Sequence, residues 1–218
     1  MIHPTPATTL PEIITILAGE TRWYFVHEVA RHSFILEKDA TLYCVVLAHI
    51  SDERAWDLSL SLEGAGSRAY IFGAVIMEEG ARLDAQCSVQ HSAPDTESHV
   101  SLRSALFADA VLTCRGIIGS KKGARGGKGA FHHKSIILGE SAQVKTIPSL
   151  EICSDEMSAH HSATIDLLSP EQLWYAQSRG ISLSDVHRLY YSGFLAHDAQ
   201  GIPHPEIAEN MRSYFSLQ

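Results

Sequence analysis

A short sequence motif that recurs along the first two thirds of the chain constrains its fold more than any other feature. In each copy, a turn rich in Glu, Asp, Gly and Ser leads into alanine, any residue, and then an aliphatic residue. The alanines are Ala40, Ala69, Ala81, Ala110 and Ala142, so successive spacings are 29, 12, 29 and 32 residues. A repeat of about thirty residues with turns between short strands predicts a β-solenoid, because a single coil is too small to bury its own apolar face.

Short β-rich runs fill the span from Arg22 to about Ile152, and no apolar stripe of helical period competes with them. The clearest runs are Trp23–Val26, Leu42–Leu47, Ala69–Gly73 and Ser135–Leu138. An antiparallel sandwich would also repeat strands and turns, so the pattern alone leaves both architectures open. Small alanines at the corners favour the solenoid, because they let successive coils approach closely.

Two short helices are predicted after the strands. Ser169 precedes a proline and has Gln172 three residues on, which forms a capping box with proline at the first helical position. Gly180 is a stop signal for this helix, Ser182 is the N-cap of the next one, and Gly193 is expected to limit that second helix.

A third, amphipathic helix is predicted to begin at Pro205, after a linker-like stretch from Ala196. It would carry Ile207, Met211 and Phe215 on one face, either packed on the protein or presented to a partner. The expected organisation is a lead-in over 1–19 with a short helix or strand around 11–18, a β-helix core over 20–166, and a helical subdomain over 167–218.

Composition narrows the class of protein. A hydrophobic content of 45% excludes wholesale disorder, and a net charge of −8 argues against a general nucleic-acid binder. The sequence has no apolar run long enough to span a membrane and no basic segment ahead of the apolar patch at 13–18, so no signal peptide is predicted. Four scattered cysteines without a CxxC pair predict a reducing, cytoplasmic location.

A set of motifs near the end of the strand region gives the chain a family resemblance. They are Pro148–Ile152 (Pro-Ser-Leu-Glu-Ile), the acidic pair Asp155–Glu156, His161–Thr164 (His-Ser-Ala-Thr), and Ser178–Ser182 (Ser-Arg-Gly-Ile-Ser). In order and spacing they resemble the C-terminal part of the SufB/SufD core of the Suf iron–sulfur cluster assembly machinery, and weaker resemblance extends upstream to about residue 20. The resemblance implies a mainly β fold: a right-handed parallel β-helix with a small C-terminal helical subdomain. At 218 residues the chain is much shorter than full members of that family, so a reduced core is expected.

The resemblance singles out His161 as the residue that helps to hold a nascent cluster at an interface of two β-helices. The alternative is a histidine that hydrogen-bonds across a dimer interface. His160 would face the opposite way on a strand, so the two could share a metal only across a polar bend, where they are expected to lie. His132 and His133 could lie one coil away, although solvated turn positions are the expectation. Cys153, eight residues from His161, is a further ligand candidate, or a buried small hydrophobe like the other cysteines.

Three departures from the family pattern place the chain nearer SufD than SufB. Ala159 stands where SufD-type members carry a cysteine, and Ala142 aligns with the cluster-linked cysteine of SufB-type members. Ser162 stands where the latter have glutamate. Iron–sulfur clusters normally need thiolate ligands, so a transient iron–sulfur cluster or iron is the only cofactor expected, and autonomous scaffolding is in doubt.

The resemblance also implies partners: a Suf ABC-type, SufC-like ATPase, and a second β-helix, from the same chain or from a SufB-type protein. ATP-driven dimerisation of the ATPase would pull on the docked C-terminal helices and open the β-helix interface around His161. Trp174, Leu189, Tyr190 and Phe194 are the expected docking anchors, and packing within the helical subdomain is the alternative.

Two other classes of function remain open, and neither rests on a strong motif. One is a β-solenoid interaction module without cluster chemistry, and the other is a β-helix carbohydrate-active enzyme that would use Asp155 and Glu156. Adjacent carboxylates on a strand point apart, so a solvated turn explains this pair better, and no catalytic role is expected for the chain. The glycine-rich run 119–129 lacks the Walker A spacing and is predicted to be a basic turn.

Overall fold

The protein is described by a computed structural model that covers residues 5–6 and 11–216. Two parallel sheets form a β-solenoid of about five turns, and three helices follow at the C-terminal end. Odd-numbered strands form a seven-stranded sheet and even-numbered strands a six-stranded sheet, so each coil contributes one strand to each. The predicted parallel β-helix with a helical subdomain is confirmed, and the antiparallel sandwich is wrong.

The strands are β1 (Thr5–Pro6), β2 (Ile13–Ile16), β3 (Thr21–Val26), β4 (Arg31–Leu36), β5 (Thr41–Ile50), β6 (Glu53–Leu62), β7 (Arg68–Met77), β8 (Arg82–His91), β9 (Glu97–Leu106), β10 (Val111–Ser120), β11 (Lys128–Ile137), β12 (Gln143–Glu151) and β13 (Ser158–Leu167). The helices are α1 (Pro170–Ser178), α2 (Leu183–Leu195), a 3₁₀ helix (Ala196–Gly201) and α3 (Pro205–Ser216). Strand β2 pairs with β4, so the six-stranded sheet begins inside the segment that was predicted as a lead-in.

The corners explain the spacing of the repeat. Ala81, Ala110 and Ala142 occupy one corner of successive coils. The carbonyl of Ala81 accepts the N–H of Val111, and the carbonyl of Ala110 accepts the N–H of Gln143. Ala40 lies at the other corner, immediately before β5 of the seven-stranded sheet. Ala69 is not equivalent to Ala40, because it lies inside β7 and pairs with Leu42, two residues after the corner. The repeat of about thirty residues is therefore correct, and the spacing of 12 arises from mixing two corners.

The main core lies between the two sheets, where alternate residues of every coil point inward. One row runs across the seven-stranded sheet through Cys44, Ile71, Val100 and Phe131, each at most 1% exposed. Gly116 faces Phe131 from the opposite sheet, and a Cβ there would lie 2.2 Å from the ring. The backbone approaches the ring this closely only because glycine has no side chain.

The C-terminal segment packs on the outer face of the seven-stranded sheet and forms a second apolar cluster. Ile207, Met211 and Phe215 of α3 are fully buried there, so their face is packed on the protein itself. Gly193 does not limit α2, which continues to the fully buried Leu195. Burial of a leucine contributes about 1.5–3 kcal/mol, which exceeds the cost of about 1 kcal/mol for a glycine inside a helix.

The predicted helix signals at the other positions are confirmed. The Ser169 hydroxyl accepts the N–H of Gln172 at 3.2 Å, and the Gln172 side chain accepts the N–H of Ser169 at 3.0 Å. Gly180 has φ of 82°, and Ser182 accepts the N–H of Asp185 at 3.2 Å. Within the part of the chain that the structure describes, no helix is both long and apolar enough to cross a membrane.

Candidate functional site

The β-helix is open at the end formed by β12 and β13. Each of these strands is the last in its sheet and pairs along one edge only within the described residues. Side chains that point inward in earlier coils are exposed here: Ile118 is fully buried, whereas its neighbour Leu150 on β12 is exposed. Ile165 and Leu167 on β13 are exposed too, Leu167 by 66%. The core pattern is therefore continued by one coil that nothing in the described chain covers.

His161 ends the inward row of the seven-stranded sheet. It pairs in register with Phe131, after Cys44, Ile71 and Val100 in the same row. The four preceding side chains are buried, but the imidazole is exposed at the open end. An exposed imidazole at this position can ligate a metal or hydrogen-bond to a second molecule placed against the open end.

His160 points to the other face of the same strand, as predicted for adjacent residues of a strand. The expected polar bend is wrong, because both histidines lie in β13, which pairs with all ten residues of β11. The His160 ring lies on the outer face, with its centroid 5.2 Å from that of His132. The two histidines therefore belong to different surfaces and cannot ligate one metal together.

His133 lies inside the β-helix rather than in a solvated turn. Its Nδ1 is 2.8 Å from the Thr146 hydroxyl, and its Nε2 is 3.1 Å from Ser135 and 3.4 Å from Ser104. Burial lowers its pKa from 6.5 to about 4, so the ring is neutral at physiological pH. Both nitrogens are engaged by hydroxyls, which removes His133 from the available ligands. His132 is likewise a strand residue, half-buried on the outer face.

The cysteines divide into three buried thiols and one exposed thiol. Cys44, Cys87 and Cys114 lie in the main core, and burial raises the pKa of Cys44 and of Cys114 to about 12. The core prediction is wrong for Cys153, which follows the end of β12 and is exposed. It lines a shallow cavity of about 270 Å³ that no histidine lines.

No thiol stands at the positions where the family motif has its ligands. Ala142 and Ala159 are half-buried against the main core, and the Ser162 hydroxyl lies 2.7 Å from Nδ1 of His132. Among the residues described, no three or more His, Cys, Asp or Glu side chains are arranged to hold a metal ion. Asp155 and Glu156 lie in an exposed turn.

The four predicted docking residues fall into two groups. Trp174 on α1 is 71% exposed and Leu189 on α2 is 61% exposed. Tyr190 and Phe194 are half-buried and pack against the outer cluster, with the Arg103 guanidinium 4.9 Å above the Phe194 ring. Helix α1 buries no side chain in the described structure, so its aromatic residues face outward.

Sequence reasoning missed His99, which lies beside His132 on the outer face with their ring centroids 5.4 Å apart. The available signal was an aromatic residue at one position in successive coils: Trp23, Tyr43, Tyr70 and then His99. These four residues can be aligned in the sequence only when the corner before the odd-numbered strands is distinguished from the corner before the even-numbered strands.

The chain matches known proteins over most of its length. The model of the SUF-system FeS cluster assembly family, SufBD core domain, matches residues 22–194. The iron–sulfur cluster assembly protein SufB of Bacillus subtilis is 30% identical over 142 residues, which are 65% of this chain and 30% of that protein.

A SufBD family iron–sulfur cluster assembly protein of Mycobacterium tuberculosis is 29% identical over 194 residues, 85% of this chain and 49% of that protein. The chain thus spans about half or less of the length of these curated relatives. The matched span includes the repeat, the open end, α1 and all of α2 except its last residue. The chain belongs to the SufBD core-domain family of iron–sulfur cluster assembly proteins.

Proposed function

We propose that this chain is a SufD-like, non-enzymatic component of iron–sulfur cluster assembly that dimerises through the open end of its β-helix. The observation that carries the proposal is the inward row that ends in the exposed His161. In a SufBD family member, an imidazole at this position is suited to hold iron or a nascent cluster at a subunit interface. The cluster or iron is then transient cargo rather than a resident cofactor.

The open end supports dimerisation on physical grounds. Among the described residues, β12 and β13 each have one unpaired edge, and such edges accept further strands. The exposed inward side chains Leu150, Ile165 and Leu167 would be buried by a second coil placed against them. The partner is a second copy of this chain or a SufB-type protein.

Missing thiolates determine what His161 could contribute. With alanine at 142 and 159, one subunit has no thiolate at its motif positions, and Ser162 replaces the glutamate of the motif. The remaining ligands must come from the partner or from the cluster's own sulfides. A SufB-type partner that supplies thiolates fits this requirement better than a second copy of the chain, which supports the SufD-like assignment.

The helices after the β-helix are the proposed docking element for the Suf ABC-type, SufC-like ATPase. Trp174 and Leu189 are large, exposed and apolar, which is typical of residues that anchor a partner. Tyr190 and Phe194 pack on the sheet and hold α2 in place. Movements of the ATPase would be transmitted through these helices to the β-helix. A cytoplasmic location remains a prediction from the cysteine pattern.

A second candidate function is a β-solenoid interaction module without cluster chemistry. It is favoured by the absence of thiols from the motif positions and by the absence of a formed metal site in the described residues. The two functions share the dimer and differ only in the role of His161.

Anaerobic cluster reconstitution on the purified complex with its partners tests the proposal. The His161→Ala variant is expected to assemble normally and to lose most of the cluster absorbance, because an exposed ligand has little part in folding. His160→Ala is the matched control, since it removes the adjacent imidazole from the opposite face. Equal cluster retention by both variants would instead support the interaction module.

A further inference from the structure

A row of aromatic side chains crosses the outer face of the seven-stranded sheet and is interrupted once. In register, it consists of Trp23, Tyr43, Tyr70, His99, Ala130 and His160. The first three rings stack, with centroids 3.9 Å and 4.9 Å apart. Ala130 lies between the two histidines in this row. Because alanine has no ring, its position leaves a gap in the row.

His132 faces this gap from two residues further along the strand of Ala130. Its ring centroid lies 5.4 Å from that of His99 and 5.2 Å from that of His160. A groove of about 300 Å³ lies over the gap and is lined by His99, Ala130 and His160 among others. Three imidazoles therefore surround one small side chain on an open surface.

The spacing of the His132 ring from each of the other two rings suits a shared metal ion. A zinc–nitrogen bond of about 2.0–2.1 Å places a ligating ring centroid about 3.2 Å from the metal. Two such rings at a tetrahedral angle have centroids about 5 Å apart, close to both observed distances. The three rings do not converge as they stand. Rotation of the His99 and His160 side chains towards His132, into the gap above Ala130, is therefore part of binding.

The surroundings prepare His132 as a ligand. Nδ1 of His132 lies 2.7 Å from the Ser162 hydroxyl, which leaves Nε2 for a metal and fixes the ring. Glu97 lines the same groove as a carboxylate, and Lys128 as an opposing cation.

We propose that His132 and His160, joined by His99, bind one divalent transition-metal ion of the Zn²⁺, Co²⁺ or Ni²⁺ class over Ala130. Imidazole ligands select these ions over Mg²⁺ and Ca²⁺, which take oxygen ligands. Water completes the coordination, because the groove is open. This site lies on the face opposite to His161 and does not depend on the function proposed above.

Titration of the purified chain with Co²⁺, followed by its visible ligand-field absorbance, tests the proposal, and calorimetry with Zn²⁺ repeats it. One equivalent is expected to bind. His132→Gln and His160→Gln remove ligands and are each expected to weaken binding about tenfold or more, and Ser162→Ala by about tenfold. Ala130→Leu fills the gap while leaving every ligand in place, and it is expected to abolish saturable binding.

His161→Gln is the matched control, since it changes the adjacent histidine on the other face and is expected to leave the affinity unchanged. Circular dichroism establishes that each variant is folded, and His99→Gln replaces Ala130→Leu if the larger side chain disrupts the sheet. Unchanged binding in His132→Gln, or loss confined to His161→Gln, would overturn the proposal. Because cluster retention depends on His161 and Co²⁺ binding on His160, failure of one proposal is distinguishable from failure of the other.

Discussion

A buried ion pair fastens the C-terminal segment to the β-helix, and Asp198→Asn tests how strongly. Nη2 of Arg103, on the outer face of β9, lies 3.0 Å from Oδ1 of Asp198 in the 3₁₀ helix. Their side chains are only 6% and 12% exposed. The Ser101 hydroxyl donates to the other carboxylate oxygen at 2.5 Å. Removing the negative charge leaves the guanidinium buried without its counter-ion.

The expected loss follows from this burial. Breaking a buried pair by removing one partner costs about 3–5 kcal/mol, and the lower value applies because asparagine keeps the shape and one hydrogen-bond acceptor. For a chain of this size, a loss of about 3 kcal/mol lowers Tm by about 6–12 °C. Burial raises the pKa of Asp198, but the hydrogen bonds and charge of Arg103 and the Ser101 hydroxyl outweigh it and lower the pKa. The stabilisation is therefore complete above the ordinary pKa of about 3.9 and is lost as pH falls below it.

Urea unfolding and thermal scans at pH 7 measure the loss, and hydrogen exchange shows whether α2 and α3 open first. Arg188→Ala is the control, because the Arg188–Asp185 pair is exposed and is worth less than about 1 kcal/mol. The double variant Arg103→Met with Asp198→Leu should recover most of the stability, since an apolar pair leaves no buried charge. A change below about 0.5 kcal/mol in Asp198→Asn would refute the reasoning.

Three further predictions rest on single contacts. In the native protein, a thiol reagent should react rapidly with one cysteine, Cys153, and with all four only in denaturant. The reason is that Cys44, Cys87 and Cys114 are buried. Rapid reaction of more than one native thiol would contradict the packing. Burial lowers the pKa of His91 and His133 from 6.5 to about 4, so stability should be complete above pH 6.5 and fall towards pH 4 by about 1.4 kcal/mol per pH unit per histidine. Urea midpoints at pH 7 and 5 should show a shallower fall in His133→Gln, and an unchanged slope would count against a neutral buried ring. Gly193→Ala should stabilise the chain by about 0.5–1 kcal/mol, because the site is helical with open space around it, and a lower Tm would argue that α2 does not continue through it.

The repeat predicted the coils because corner alanines and turn residues act locally. It failed at Ala69, since an alanine inside a strand looks the same in sequence as an alanine at a corner. Strands β8 and β13 are each ten residues long but contain many polar residues. Parallel pairing along the sheet stabilises them without a continuous apolar run, so the sequence pattern does not reveal their full length. That is why His160 and His161 were expected in a bend, although their opposite facing was predicted correctly.

The sites depend on contacts that bring distant residues together. His133 resembles a turn residue in sequence, and only the hydroxyls of Ser135 and Thr146 show that it is buried and satisfied. Helix capping at Ser169 and Ser182 was predictable because each cap is made within four residues. Helix α2 continues past Gly193 because Leu195 meets the sheet, which no local pattern contains. The grouping of His99 with His132 likewise needs the register of two coils.

Co-expression with the Suf ATPase of the same organism, followed by affinity capture and native mass spectrometry, tests the central claim most directly. The account predicts a stable assembly in which two β-helix subunits carry two ATPase subunits, and in which Trp174→Ala or Leu189→Ala releases the ATPase while the β-helix dimer persists. A β-helix dimer that never retains the ATPase, or a chain that stays monomeric with its open end exposed, would contradict it.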